Sequence, residues 1–126
     1  ENISKYAGLD HEERLLALTR QVYRNEIDEN LLVKHVGESV QVYPKGFDRA
    51  GFFKNISFVK AREIIMEGVN LKATEYQITA KSPMQFNETD FLQHDLGHSI
   101  AGVTLSKKSL DAGESARLII VTNEAL

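Results

Sequence analysis

Apolar residues recur at helical spacing at Leu15, Leu18 and Val22, with Leu16 and Tyr23 beside them, and this pattern predicts a helix over residues 10–25. Asp10 stands at the N-cap position, and Glu12 and Glu13 put negative charge in the first turn, where the helix dipole favours it. A second, short helix is expected over 28–36, ended by Gly37. Residues 39–43 alternate polar and apolar in the manner of a short strand and stop at Pro44, before a loop over 45–51. Ser57 is placed to cap a third helix carrying Val59, Ala61, Ile64 and Ile65 and closed by Gly68. A second strand is expected over 76–80, bounded by Pro83. Asn87 or Thr89 then opens a helix that continues to about Leu105, and a last helix runs from near Ser109 toward Val121. The expected fold is therefore mainly α, one helical domain over 1–126 with at most one small β-hairpin.

The helix expected over 87–105 carries the candidate chemistry. With His94 set at zero on a helical wheel, His98 falls near about 40° and Asp95 near about 100°. Phe91, Ala101, Gly102 and Leu105 fall on the same side, so the polar triplet shares the apolar stripe. Burying such groups without partners costs roughly 1–3 kcal/mol each, and a bound cation would offset much of that. Two histidines four apart on a helix suit one metal ion. Gly102, one turn beyond His98, leaves room there for a ligand or another backbone. Leu110, Glu114, Leu118 and Val121 also recur at helical spacing, which puts Glu114 in the apolar stripe of the last helix. A short loop at 106–108 would fold that helix back and bring Glu114 within reach of the histidines. The bland alternative is a hydrogen-bonded Asp95–His98 pair with a purely structural role.

The string from His94 to Gly102 reads HDxxHxxxG, and Gly113-Glu114 supplies a Gly-Glu pair downstream. This resembles the signature of the coenzyme Q biosynthesis protein 4 family. The resemblance covers about residues 90–114, and the interval between His98 and Glu114 is longer than that family's pattern by about one helical turn. It implies a mainly helical protein with His94, Asp95, His98 and Glu114 as ligands of one divalent metal, zinc or iron. It also implies a small or lipid-like substrate of the quinone type, and oxidative decarboxylation of the quinone ring.

Two other readings stand beside it. An HD-type metal-dependent phosphohydrolase would use the His94-Asp95 dyad with His35 or His11 and Asp111, the metal activating water. His11 shares a face with Leu15, Leu18 and Val22, where a structural role at the core edge explains it more simply, and His35 reads as surface. The third reading is a non-catalytic protein–protein interaction module with a structural His/Asp cluster. Tyr43, Tyr76, Phe52 and Phe53 read as core or turn-packing residues, and Lys107-Lys108 as a solvated loop.

Composition narrows these readings only slightly. The 126 residues are 42% hydrophobic and 26% charged, which is ordinary for a globular domain. A net charge of −3 gives no basic surface for nucleic acid. Without cysteine there is no disulfide framework and no thiolate chemistry. The longest apolar runs, such as residues 118–121, are too short to span a bilayer, so a soluble and by preference cytoplasmic setting is expected. The chain starts at Glu1 and not at methionine, as an excised domain or a processed protein would.

Overall fold

The computed structural model of the chain describes residues 10–27, 31–41, 53–66, 70–92 and 99–123. The first helix, α1, spans His11–Arg24. A reciprocal capping box starts it: the Glu13 backbone N–H donates to Asp10 Oδ1 at 2.9 Å, and the Asp10 N–H donates to Glu13 Oε1 at 3.1 Å. Asn25 ends it in the left-handed conformation with φ 57°, its N–H turned back to the carbonyls of Gln21 and Val22. The expected helix is thus present with its expected cap.

The remainder of the fold corrects the expectation. Strand makes up 54% of the described structure, and the architecture is mainly β, not mainly α. Five antiparallel strands form one sheet in the order β1-β2-β3-β7-β5, with β1 at Leu32–Val40, β2 at Ile56–Met66, β3 at Leu71–Ala80, β5 at Ile100–Leu105 and β7 at Ser115–Asn123. A two-stranded ribbon joins β4 (Met84–Gln85) to β6 (Ser109–Leu110). The helix expected over 28–36 gives way to β1, and the one expected from Ser57 is β2. In place of a helix over 87–105 stand a 3₁₀ turn at Glu88–Phe91 and then β5. The last expected helix is β6, a turn and β7. The strand expected over 76–80 is real and is the second half of β3. Of the strand expected over 39–43, Ser39 and Val40 end β1, while 42 and 43 lie outside the described residues, as do Phe52 and the loop over 45–51.

Both faces of the sheet are buried, and this explains the missing alternation. On β7, Ala116, Leu118 and Ile120 enter one core while Ile119 and Val121 enter the other. The first core holds Ile56, Phe58, Tyr76, Ile78, Phe86, Phe91 and Leu110 under the β4–β6 ribbon, with aromatic rings spaced 5.8 to 6.3 Å apart. Half-buried Phe53 packs against this core, in keeping with the packing role expected of it and of Tyr76. The second core lies beneath α1, which presses Leu18 and Val22 onto Ile64, Met66, Leu71, Ala73, Ile119 and Val121. Each fully buried Leu or Val side chain contributes roughly 1.5–3 kcal/mol, so this contact holds the helix on the sheet.

Bulges set which residues meet. Between the pairs Lys60↔Tyr76 and Arg62↔Glu75, Ala61 is an extra residue on β2. Before it the even-numbered Phe58 faces the aromatic core; after it the even-numbered Arg62, Ile64 and Met66 face the helix. The next strand out, β1, inserts a residue at the same level, between His35 and Glu38, with Gly37 at φ 68°. His35, as expected, is exposed. On the far edge, β5 carries its own bulge between Ile100 and Gly102. Both edge strands are therefore kinked, which discourages edge-to-edge pairing of copies.

Candidate interaction site

Charge is buried where α1 ends over the sheet. Glu75 of β3, only 7% exposed, lies opposite Arg62 of β2 in register and diagonal to Arg117 of β7. Arg62 Nε donates to its Oε1 at 2.6 Å, and Arg117 Nε to its Oε2 at 2.6 Å. The remaining Arg117 nitrogens donate to the carbonyls of Tyr23 and Val22 at 2.7 and 2.6 Å. These are carbonyls of the helix's last turn, which attracts a cation, and that of Val22 also accepts the Asn25 N–H. The Arg117 guanidinium also lies 5.6 Å from the centre of the Tyr23 ring. One side chain thus joins the buried carboxylate, the helix end and an aromatic ring. An open cavity of about 430 Å³ beside this seam is lined by Glu75, Gln77, Ser106, Ser115 and Arg117. Its charged groups already pair with one another, which leaves little for a ligand.

On the other side of Tyr23 lies a groove of about 390 Å³, between the outer face of α1 and β5. Leu16, Thr19, Arg20, Tyr23 and Arg24 form one wall, and Thr104 and Leu105 the other. Leu16 is 58% exposed and Tyr23 42%, two of the four exposed large hydrophobic residues among the described ones. Spacings of four and three put Leu16, Arg20 and Tyr23 on one helical stripe. Arg20 and Arg24 are exposed, and neither pairs with a carboxylate among the described residues. Behind the groove Leu15 packs over Gly102 of β5: a β-carbon there would stand 3.5 Å from Leu15 Cδ1, an ordinary van der Waals contact. The room expected at Gly102 for a ligand is filled by Leu15.

The sequence of the whole domain names its family. The profile of the TraK C-terminal domain matches residues 1–122. The chain belongs to the TraK C-terminal domain family. No curated protein matches it. Membership over nearly the whole chain overturns the resemblance to the coenzyme Q biosynthesis protein 4 family, which rested on residues 90–114. With it go the ubiquinone-related substrate and the reading of the chain as a helical metal-binding enzyme.

Of the expected metal ligands of this TraK-family domain, Glu114 alone lies among the described residues. Among the described residues no three His, Cys, Asp or Glu side chains gather so as to hold a metal ion. His94, Asp95 and His98 lie outside the described residues, and the helix meant to align them is interrupted by β5 from Ile100 onward. Glu114 stands in the turn before β7. Its Oε1 accepts the Asp111 N–H at 2.9 Å, and its Oε2 meets Lys107 Nζ at 2.9 Å. Those two contacts, the backbone N–H first, hold its pKa below the ordinary carboxylate value. Lys107 and Lys108 are exposed, in the solvated loop expected of them. Asp111, offered beside the His94-Asp95 dyad in the hydrolase reading, is exposed in the same turn. His11 opens α1, far along the chain from it. Among the described residues no helix is long and apolar enough to cross a membrane.

Sequence reasoning missed both the Glu75 seam and the groove. Arg62, Glu75 and Arg117 are scattered among three strands and carry no local motif. The groove did leave a trace: Leu16 and Tyr23 flank the stripe of Leu15, Leu18 and Val22, so α1 has more apolar surface than one buried face uses.

Proposed function

We propose that this domain is a non-catalytic protein-interaction module that serves a conjugation assembly, as its membership of the TraK C-terminal domain family suggests. The observation that carries the reading is the outer face of α1, where exposed Leu16 and Tyr23 share one groove with two exposed arginines that meet no carboxylate among the described residues. Apolar side chains held in water by a rigid helix–sheet scaffold, with charge at the rim, have the make-up of a binding patch. The most buried charges, those of Glu75 and Arg62, are bonded within the seam described above and hold the scaffold together. A protein partner, not a small-molecule substrate, is the reading these features support.

The test is site-specific photo-crosslinking in donor cells that carry the conjugation machinery. A photoreactive side chain is placed in turn at Leu16, Ser39 and Leu92, all exposed and on different parts of the surface. The expected result is a covalent adduct to another protein from at least one position, absent when the rest of the machinery is missing. Adducts from none of the positions would sink the reading.

A further inference from the structure

The groove between α1 and β5 has a shape and charge that select one kind of occupant. Its volume of about 390 Å³ lies at the lower end for ligand-binding clefts and suits a few side chains of a peptide, not a folded domain. The wall formed by Thr104 is an edge strand, so the groove follows an extended direction. Apolar anchorage comes from Leu16 and Tyr23, seven residues apart and so two helical turns, about 10 Å, along the wall. Between and beyond them stand Arg20 and Arg24, neither paired with a carboxylate among the described residues. Two guanidinium groups beside apolar surface favour carboxylates at low cost in desolvation, and they match them in a planar, two-bond geometry.

We propose that this groove seats an extended segment of another protein in which apolar side chains alternate with carboxylates. The proposal rests on the reading of the domain as an interaction module and names the partner's chemistry. Apolar side chains of the segment pack on Leu16 and Tyr23, and its carboxylates meet Arg20 and Arg24. Tyr23 is itself held in place by Arg117, so the anchor is rigid before the partner arrives. A nucleic acid fits less well: the chain carries a net charge of −3, and only two cations line the groove, with apolar side chains between them.

Two measurements test the proposal on the full-length protein. In the first, a fluorescent synthetic peptide alternating leucine with glutamate is titrated by anisotropy, beside a copy with lysine for glutamate, a single-stranded oligonucleotide and phosphatidylglycerol vesicles. The glutamate peptide is expected to bind in preference to the other three. Arg20→Glu/Arg24→Glu is expected to weaken it about tenfold, while Arg20→Lys/Arg24→Lys keeps most of the affinity. Equal binding of the lysine peptide, preference for oligonucleotide or vesicle, or an unchanged affinity in the charge-reversed variant would each overturn the proposal. In the second, a photoreactive side chain at Thr19 is compared with one at Ser39 on the opposite edge of the sheet. An adduct from Thr19, mapped by mass spectrometry to an acidic and apolar segment and lost in Arg20→Glu/Arg24→Glu, supports the groove. An adduct to a second copy of this chain assigns the groove to self-association and refutes the peptide. Adducts from Ser39 alone would refute the groove and leave the interaction module standing; adducts from neither would refute the groove, and with none from Leu16 or Leu92 either they would remove the module as well.

Discussion

Four of the arginines on or beside α1 fall into two pairs with opposite fates. Arg62 and Arg117 point under the helix end and pair with Glu75, Arg117 also bonding two helix carbonyls. Arg20 and Arg24 project from the helix's outer face and meet no carboxylate among the described residues. The inner pair answers to the low dielectric of its surroundings, where an unmatched charge is expensive. The outer pair is hydrated, costs the fold little, and remains available to a partner. The same residue type thus serves stability on one side of Tyr23 and, in the function proposed above, recognition on the other, and burial decides which.

The largest effect should come from breaking the inner pair's shared acceptor. Glu75→Gln leaves two guanidinium groups facing a neutral amide, and a loss of about 3 kcal/mol or more in urea unfolding is expected. A midpoint unchanged from the parent protein would show that the seam contributes specificity and not stability.

Alkaline titration extends the comparison to the next residue of the same strand. Tyr76 points to the aromatic core, and burial, helped by the Glu63 charge, pushes its pKa up to about 12. The folded state therefore resists ionisation that the unfolded state undergoes near the ordinary tyrosine value of 10.0. Stability should be level below pH 10 in this respect and fall as pH rises from 10 toward 12, by roughly 2 kcal/mol over that range. In Tyr76→Phe that alkaline decline should be shallower, as followed by unfolding midpoints at a series of pH values.

Arg117→Lys should cost less, about 1–2 kcal/mol, because an ammonium group cannot serve the carboxylate and both helix carbonyls in one plane. Hydrogen exchange should show the loss first at the C-terminal turn of α1. At the smallest end, Arg20→Glu/Arg24→Glu should shift thermal stability by no more than about 0.5 kcal/mol. A larger loss would mean that the outer pair also supports the fold, and the contrast between the pairs would fail.

What could be read from the sequence depended on whether the signal was local. The capping box of Asp10 and Glu13 and the repeat Leu15, Leu18, Val22 lie within one element, and α1 emerged with its correct start and end. The second half of β3 was legible too, because Pro83 and a β-rich run bound it. Strand β7 was not, since both its faces are buried: with Leu118 in one core and Ile119 and Val121 in the other, no period of two remains. Leu110, Glu114, Leu118 and Val121 then imitated a helix while belonging to a ribbon, a turn and a strand. In β2 the bulge at Ala61 put Val59, Ile64 and Ile65 at spacings that also suit a helix. Gly102 drew attention as part of a short motif, yet it stands at the bulge of β5 with Leu15 packed over it. The short motif offered a resemblance where the family signal lay in the whole chain.

The extra residue at Ala61 has a consequence for how this domain tolerates changes in length. It divides β2 into two stretches whose side chains are out of phase, one written for the aromatic core and one for the helix. Lys60 and Arg62 already meet consecutive residues of β3, so removing Ala61 would straighten the ladder and leave Arg62, Ile64 and Met66 facing α1. A regular ladder with Ala61 kept in it would instead turn Arg62 into the oily interior and Ile64 and Met66 away from α1. The strand can therefore lose one residue at this level without exchanging its faces, and with its full length it depends on the bulge staying where it is. Ala61, an unremarkable residue by chemistry, is in that sense the frame marker from which every inward-facing position of the strand is counted.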